Sequence, residues 1–179
     1  MKRLAIRWGF RIGVLVCAIN AGGCWSFPFS DGPYEAIQSR TQLTRQPERH
    51  CFISSFARLQ ETETVDAFEY ESMDPPSDQP QPKRIAISAS EQGQWPARFR
   101  VNSTDPEIEL SIEVDLHHWE GQEYLEMGWS ARAPVPPNTA ETAFRQMRKL
   151  EGLILTSCQI GAVSPSKIDC YLGEKACPT

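Results

Sequence analysis

Apolar and polar residues alternate most clearly between positions 109 and 131. Leu110, Ile112, Val114 and Leu116 stand against Glu109, Ser111, Glu113 and Asp115, and after Glu120-Gly121-Gln122 the alternation resumes with Leu125, Met127, Trp129 and Ala131. A period of two sends successive side chains to opposite faces, so the spacing predicts a β-hairpin with one buried face and one wet face. Its wet face brings Glu113, Asp115 and Glu126 within reach of Arg98 and Arg100, which alternate with Trp95, Ala97, Phe99 and Val101 on a preceding strand. Cross-strand charge pairing is expected there.

Upstream, Val65 to Ser72 alternates with Phe68 and Tyr70 on one side, and Arg84 to Ser88 places Ile85 and Ile87 on one face. Between these two strands, Met73 to Lys83 contains Pro75, Pro76, Pro80 and Pro82, which reads as an exposed loop. The period then changes. Ala140, Ala143, Phe144, Met147, Leu150, Ile154 and Ser157 fall at helical spacing over about 139–159, with Asn138 and Glu141 as a capping box and Gly161 as terminator. A second helix is expected over 47–60, with Pro47 at its first position and Cys51, Phe52, Ser55, Phe56 and Leu59 on one face. Both helices on the apolar face of one sheet make an α+β fold, a two-layer sandwich of four to five antiparallel strands with two helices on one face.

The chain opens differently. Its first eleven residues hold Lys2, Arg3, Arg7 and Arg11 and no acid, an apolar run from Ile12 to Ile19 follows, and Ala21-Gly22-Gly23 precedes Cys24. A basic region followed by a short apolar core is the pattern of an export signal, and the run is shorter than the roughly 20 residues a membrane span needs. The window around Cys24 resembles the lipobox of bacterial lipoproteins, in which a cysteine follows small residues, although Ala21 stands where leucine is usual. The resemblance implies cleavage after Gly23 and lipidation of Cys24, and Trp25 in place of aspartate implies sorting to the outer membrane, facing the periplasm. Ala21 and Gly23 also satisfy ordinary signal cleavage, which would release a soluble periplasmic protein. Residues 1–23 are therefore read as a signal peptide, 24–46 as a tether with one short helical turn near Tyr34 to Ser39, and 47–179 as a single domain with a stapled tail.

Removing the leader changes the charge balance. The formal net charge of −5 becomes −9, with 14 Lys and Arg against 23 Asp and Glu. Nucleic acid is excluded as a natural partner, and a protein with a cationic surface is the expected match. Beyond Cys17 in the leader and Cys24, four cysteines remain, at 51, 158, 170 and 177. They lack a C-x-x-C pair, which disfavours zinc, and their even number fits two disulfides in an oxidising compartment. Antiparallel helices would set Cys51 in the first turn of one beside Cys158 in the last turn of the other, so Cys51–Cys158 and Cys170–Cys177 are the expected pairs.

Candidate chemistry is sparse. Ser111, Glu113, Asp115 and His117 share a strand face and invite a catalytic reading, but an alternating polar face is the ordinary solvent side of a sheet. His117 and His118 point to opposite faces and cannot readily share a metal, and His50 lies in the first turn of a helix. There is no G-x-S-x-G, H-E-x-x-H or phosphate-binding glycine loop. Trp95 and Trp129 are expected in the core; Trp119 falls on the polar side and is the candidate for an exposed partner contact. The leading expectation is a non-enzymatic envelope lipoprotein that binds protein, as an assembly accessory or an inhibitor or immunity-like protein. A small-ligand or lipid carrier with a pocket between sheet and helices stands second, and a hydrolase using Asp115 and His117 third. No cofactor is implied.

Overall fold

The computed structural model describes residues 34–70, 84–87, 98–106, 108, 110–132, 135–136, 138–173 and 177–178. The leader, Cys24, the tether before Tyr34, the proline-rich loop and Trp95 lie outside these residues. The described elements run β1 (Tyr34–Leu43), α1 (Arg49–Thr62), β2 (Val65–Tyr70), β3 (Arg84–Ala86), β4 (Arg98–Ser103), β5 (Ser111–Trp119), β6 (Gln122–Arg132), α2 (Thr139–Ser157) and β7 (Lys167–Tyr171). They belong to one compact unit, Asp31–Thr179.

The fold is α+β, and its sheet has seven strands in the order β3-β2-β4-β5-β6-β1-β7, with every pairing antiparallel. The expectation of four to five strands is corrected at two places. Residues 34–43, read as tether and in part as a helical turn, form a ten-residue strand seated between β6 and β7. Lys167–Tyr171 adds the edge strand beside it.

The reason β1 escapes a reading by hydrophobic period is visible in its side chains. Paired with β6, it turns Glu35, Ile37, Ser39, Thr41 and Leu43 to the same side as Leu125, Met127 and Trp129. Three of these five are polar, so the alternation that marks a half-buried strand is hidden. Their burial is met partly by α2: the Thr41 hydroxyl donates to Glu151 Oε1 at 2.5 Å, and the same carboxylate accepts from Ser166 and Arg148. A buried carboxylate is tolerated when its lone pairs are filled in this way.

The helices cover this same side as their stripes require. Phe52, Phe56 and Leu59 of α1 and Ala143, Met147, Leu150 and Ile154 of α2 are all fully buried, against Phe99, Ile112, Leu125 and Trp129 from the sheet. The rings of Phe56 and Phe99 stack at 4.9 Å, and Phe52 lies 5.3 Å from each of them. Such pairs add about 0.5–1.5 kcal/mol beyond the area they remove from water.

Phe68 and Tyr70 share one side of β2 as the alternation predicts, and three expectations at the helix ends are corrected. In β2, Val65, Ala67 and Glu69 face the helices, with Glu69 paired at 2.5 Å to Arg49; Phe68 and Tyr70 lie on the other face. α1 begins at Arg49 with Glu48 as its cap, so Pro47 stands one residue outside, where its fixed φ suits extended chain equally well. α2 begins at Thr139 without a side-chain cap from Asn138, and it ends at Ser157. There Gln159, with φ of 51°, takes the left-handed position expected of Gly161. The Ile160 N–H bonds Leu155 O at 3.1 Å and the Gln159 N–H bonds Thr156 O at 3.3 Å, the two bonds of a Schellman motif.

Cys51 is joined to Cys158 and Cys170 to Cys177, the pairs that antiparallel helices imply. The bridges close segments of 107 and 7 residues. Constraint of the unfolded chain then gives about 4–5 kcal/mol for the first and about 2–3 kcal/mol for the second. Urea unfolding of the two double-alanine variants is expected to show the larger loss for Cys51→Ala/Cys158→Ala; equal losses would mean that native-state effects, not loop length, set the gain.

Candidate functional site

The sheet face turned away from the helices carries the charged residues, and the strand register explains their neighbours. Across one row the paired positions are Tyr70, Arg98, Asp115, Glu126, Arg40 and Lys167. Arg98 Nε donates to Asp115 Oδ1 at 2.8 Å. One row along, Arg100 pairs with Glu113 and places its guanidinium 4.9 Å from the centre of the Tyr70 ring. These two ion pairs are those expected from the alternation. Glu126 differs: it pairs with Arg40 of β1, and His117 Nε2 lies 3.3 Å from its other oxygen. Arg40 was hidden because its strand was hidden.

Asp115 is the unusual member of this ladder. It is buried, and its Oδ2 has no hydrogen-bond partner among the described residues. Burial raises its carboxyl above the ordinary value; the charge of Arg98, the hydrogen bond from Arg98 and the charge of His117 act in the opposite direction, while Glu113 adds to the rise.

The ladder is a poor fit to general acid–base or nucleophilic catalysis. Ser111 and His117 are six residues apart on one strand, which is about 20 Å, too far for a nucleophile and its base. Glu113, Asp115 and Glu126 each engage an arginine on a neighbouring strand instead of converging on a shared point. His118 points to the opposite face from His117 and meets Glu123 at 2.5 Å, and His50 is exposed at the start of α1. Among the described residues no group of three or more His, Cys, Asp or Glu is placed to hold a metal ion.

A different feature stands at the tip of the β5–β6 hairpin. Trp119 pairs with Gln122, and the two residues between them, Glu120 and Gly121, have φ of 51° and 76°. Positive φ at both positions is what a type I′ hairpin turn requires. The tight turn fixes the direction of Trp119, which is 38% exposed, whereas Trp129 on the same hairpin is in the core. A large aromatic held in water by a rigid turn is the side chain best suited here to a contact with another molecule.

Two clefts adjoin the sheet edges. One of about 540 Å³ is bordered by Tyr34, Ile168, Cys170, Tyr171 and Leu172 beside β7. The other, about 440 Å³, lies between the end of α1 and the β2–β3 edge. The interlayer space, where a carried ligand was considered, is occupied by Phe52, Phe56, Phe99, Trp129 and Met147.

No family model and no curated protein sequence matches the chain. Among solved structures, the crystal structure of Ara h 8.0201 aligns with a TM-score of 0.34 and 11% identity, covering 69% of this chain and 99% of that one.

Two outcomes follow from the geometry. A carboxyl with a higher pKa folded than unfolded holds its proton more tightly in the folded chain. Its contribution to stability therefore improves as pH falls through its raised folded value toward the ordinary carboxylate value. Urea unfolding across that window is expected to show wild type gaining stability relative to Asp115→Asn on acidification; parallel curves would refute it. At the turn, Glu120→Asn is expected to stabilise by about 0.5–1 kcal/mol, because asparagine adopts the left-handed conformation at lower cost. A lower thermal midpoint in that variant would contradict the assignment.

Proposed function

We propose that this chain is an exported protein of the bacterial envelope, anchored by lipid on Cys24 after removal of residues 1–23, and that it acts by binding another protein. The observation that carries the binding reading is Trp119, exposed at the tip of a rigid hairpin while Ile112, Val114, Leu116, Leu125, Met127 and Trp129 of that hairpin are buried. Exposed aromatics that lose no backbone freedom on contact are favoured anchors of protein interfaces. The acidic balance beyond the leader favours a partner with a cationic surface.

Two further observations weigh on the side of export. Both disulfides suit an oxidising compartment. They also use all four cysteines beyond Cys24, which leaves that thiol for a thioether once Cys17 departs with the leader. The filled interlayer space weighs against a carrier, and the engaged carboxylates of the charged face weigh against a hydrolase built on Asp115 and His117. Sorting to the outer membrane, facing the periplasm, follows from the residue after the anchor, Trp25.

Radioactive palmitate fed to expressing cells is expected to label the native chain and not Cys24→Ala; label retained in the variant would remove the anchor. For binding, a photo-crosslinking residue placed at 119 in intact cells is expected to yield one discrete protein adduct, absent when the same residue replaces the exposed Glu141 of α2. Trp119→Ala is expected to leave the thermal midpoint within a few degrees of wild type. Adducts of equal yield at both positions, or a collapse of stability in Trp119→Ala, would defeat the reading.

A further inference from the structure

The cleft between the end of α1 and the β2–β3 edge combines an apolar floor with negative charge at its rim. Ala67 and Ile87 form buried parts of its wall, Phe68 and Ala86 continue it, and Glu61 and Asp66 stand exposed at its rim. β3 pairs with β2 only from Phe68 to Tyr70, so it does not cover the first half of β2, where Asp66 points outward.

Among the described residues no ion pair cancels the charge at this rim. The last turn of α1 contains no basic residue, although a helix C-terminus carries partial negative charge and is stabilised by cations. Glu61 sits in that turn, an unfavourable place for a carboxylate. Among the described residues, two bases close to this end of α1 are engaged elsewhere: Lys149 holds Glu63 at 2.5 Å, and Arg58 reaches Ser157 at 3.3 Å. Thr62 caps the carbonyls of Arg58 and Leu59 with its hydroxyl at 3.0 and 3.3 Å, which satisfies hydrogen bonds without supplying charge. Glu61 and Asp66 take part in no ion pair among the described residues.

We infer that this cleft receives a lysine or arginine side chain of the protein partner. The methylene stem would lie on Ala67, Phe68 and Ile87, and the cationic head would meet Glu61, Asp66 and the carbonyl end of α1. Long cationic side chains are built for such a division, with an apolar stem and a hydrated charge at its tip. The helix end that is unfavourable in the free protein then becomes a source of attraction. This inference rests on the protein-binding reading and gives the partner's contact its chemistry.

The test titrates a hexalysine peptide amide into the full-length, disulfide-bonded chain, isotopically labelled for backbone amide NMR. Saturable shifts concentrated at Glu61, Asp66 and Ala67 are expected, with affinity at least fivefold weaker for Glu61→Gln/Asp66→Asn. That variant is expected to keep a dispersed spectrum and a thermal midpoint no lower than wild type, since it relieves repulsion at the helix end. Shifts equally large at the exposed acids Glu48, Glu120 and Glu141, or unchanged affinity in a folded double variant, would overturn the cleft. Shifts gathered at Trp119 would overturn the cleft and leave the protein-binding reading intact, whereas a failed crosslink at 119 with intact cleft binding would do the reverse.

Discussion

The packing of α1 and α2 side by side on a single face of the sheet decides what every other surface of the molecule can be. α1 links β1 to β2, strands that lie near opposite edges of the sheet, so it must run across the sheet's underside. Phe52 and Phe56 hold it there against Phe99, and the Cys51–Cys158 bridge ties its first turn to the end of α2. With the apolar side chains of both layers spent on that interface, the far face of the sheet is left to charge. The hairpin tip is left as a place where an aromatic can remain in water.

Hydrophobic period made the central part of this arrangement legible. The β5–β6 hairpin, the stripe of α2 and the pairing of Arg98 with Asp115 and Arg100 with Glu113 all follow from side chains that alternate as their burial demands. β1 was illegible for a specific reason: its inward positions Glu35, Ser39 and Thr41 are polar, and what makes Thr41 acceptable is a carboxylate 110 residues away in α2. In β2 the alternation groups Phe68 with Tyr70, and which side they take is set by Arg49, the partner that lets Glu69 turn inward, while Arg100 covers the Tyr70 ring outside. Glu126 went to Arg40 because a strand unseen in the sequence lay beside it.

Electrostatics connects these pairings to the surface. Arg40, Arg49, Arg98, Arg100, Arg148, Lys149 and Lys167 each meet a carboxylate within the fold. Seven of the 14 bases beyond the leader are thus paired, while Glu61 and Asp66 take part in no ion pair among the described residues. The acidic balance is thus expressed at particular exposed places, of which the end of α1 is one. Exposed ion pairs contribute little each, about 0–1 kcal/mol, so the structural role of this commitment is modest and its effect on the surface field is the larger consequence.

The two surfaces singled out are well separated by the sheet's own geometry. Trp119 ends β5, whereas Val65, at the start of β2, pairs with Ser103 near the opposite end of the strands and two strands over. Substitutions at sites that share no partner act additively, so the aromatic contact and the cationic contact can be removed one at a time without either reporting on the other. A single partner that used both would need to extend diagonally from β5 over β4 to β2, and the face it would cross carries the Arg98–Asp115 and Arg100–Glu113 pairs. Those pairs set bases on β4 beside acids on β5 at strand spacing, which penalises a uniformly charged surface and favours one whose charges match that order. Specificity in such a contact would come from the pattern of charge, and the excess of acid would serve chiefly to bring the partner in.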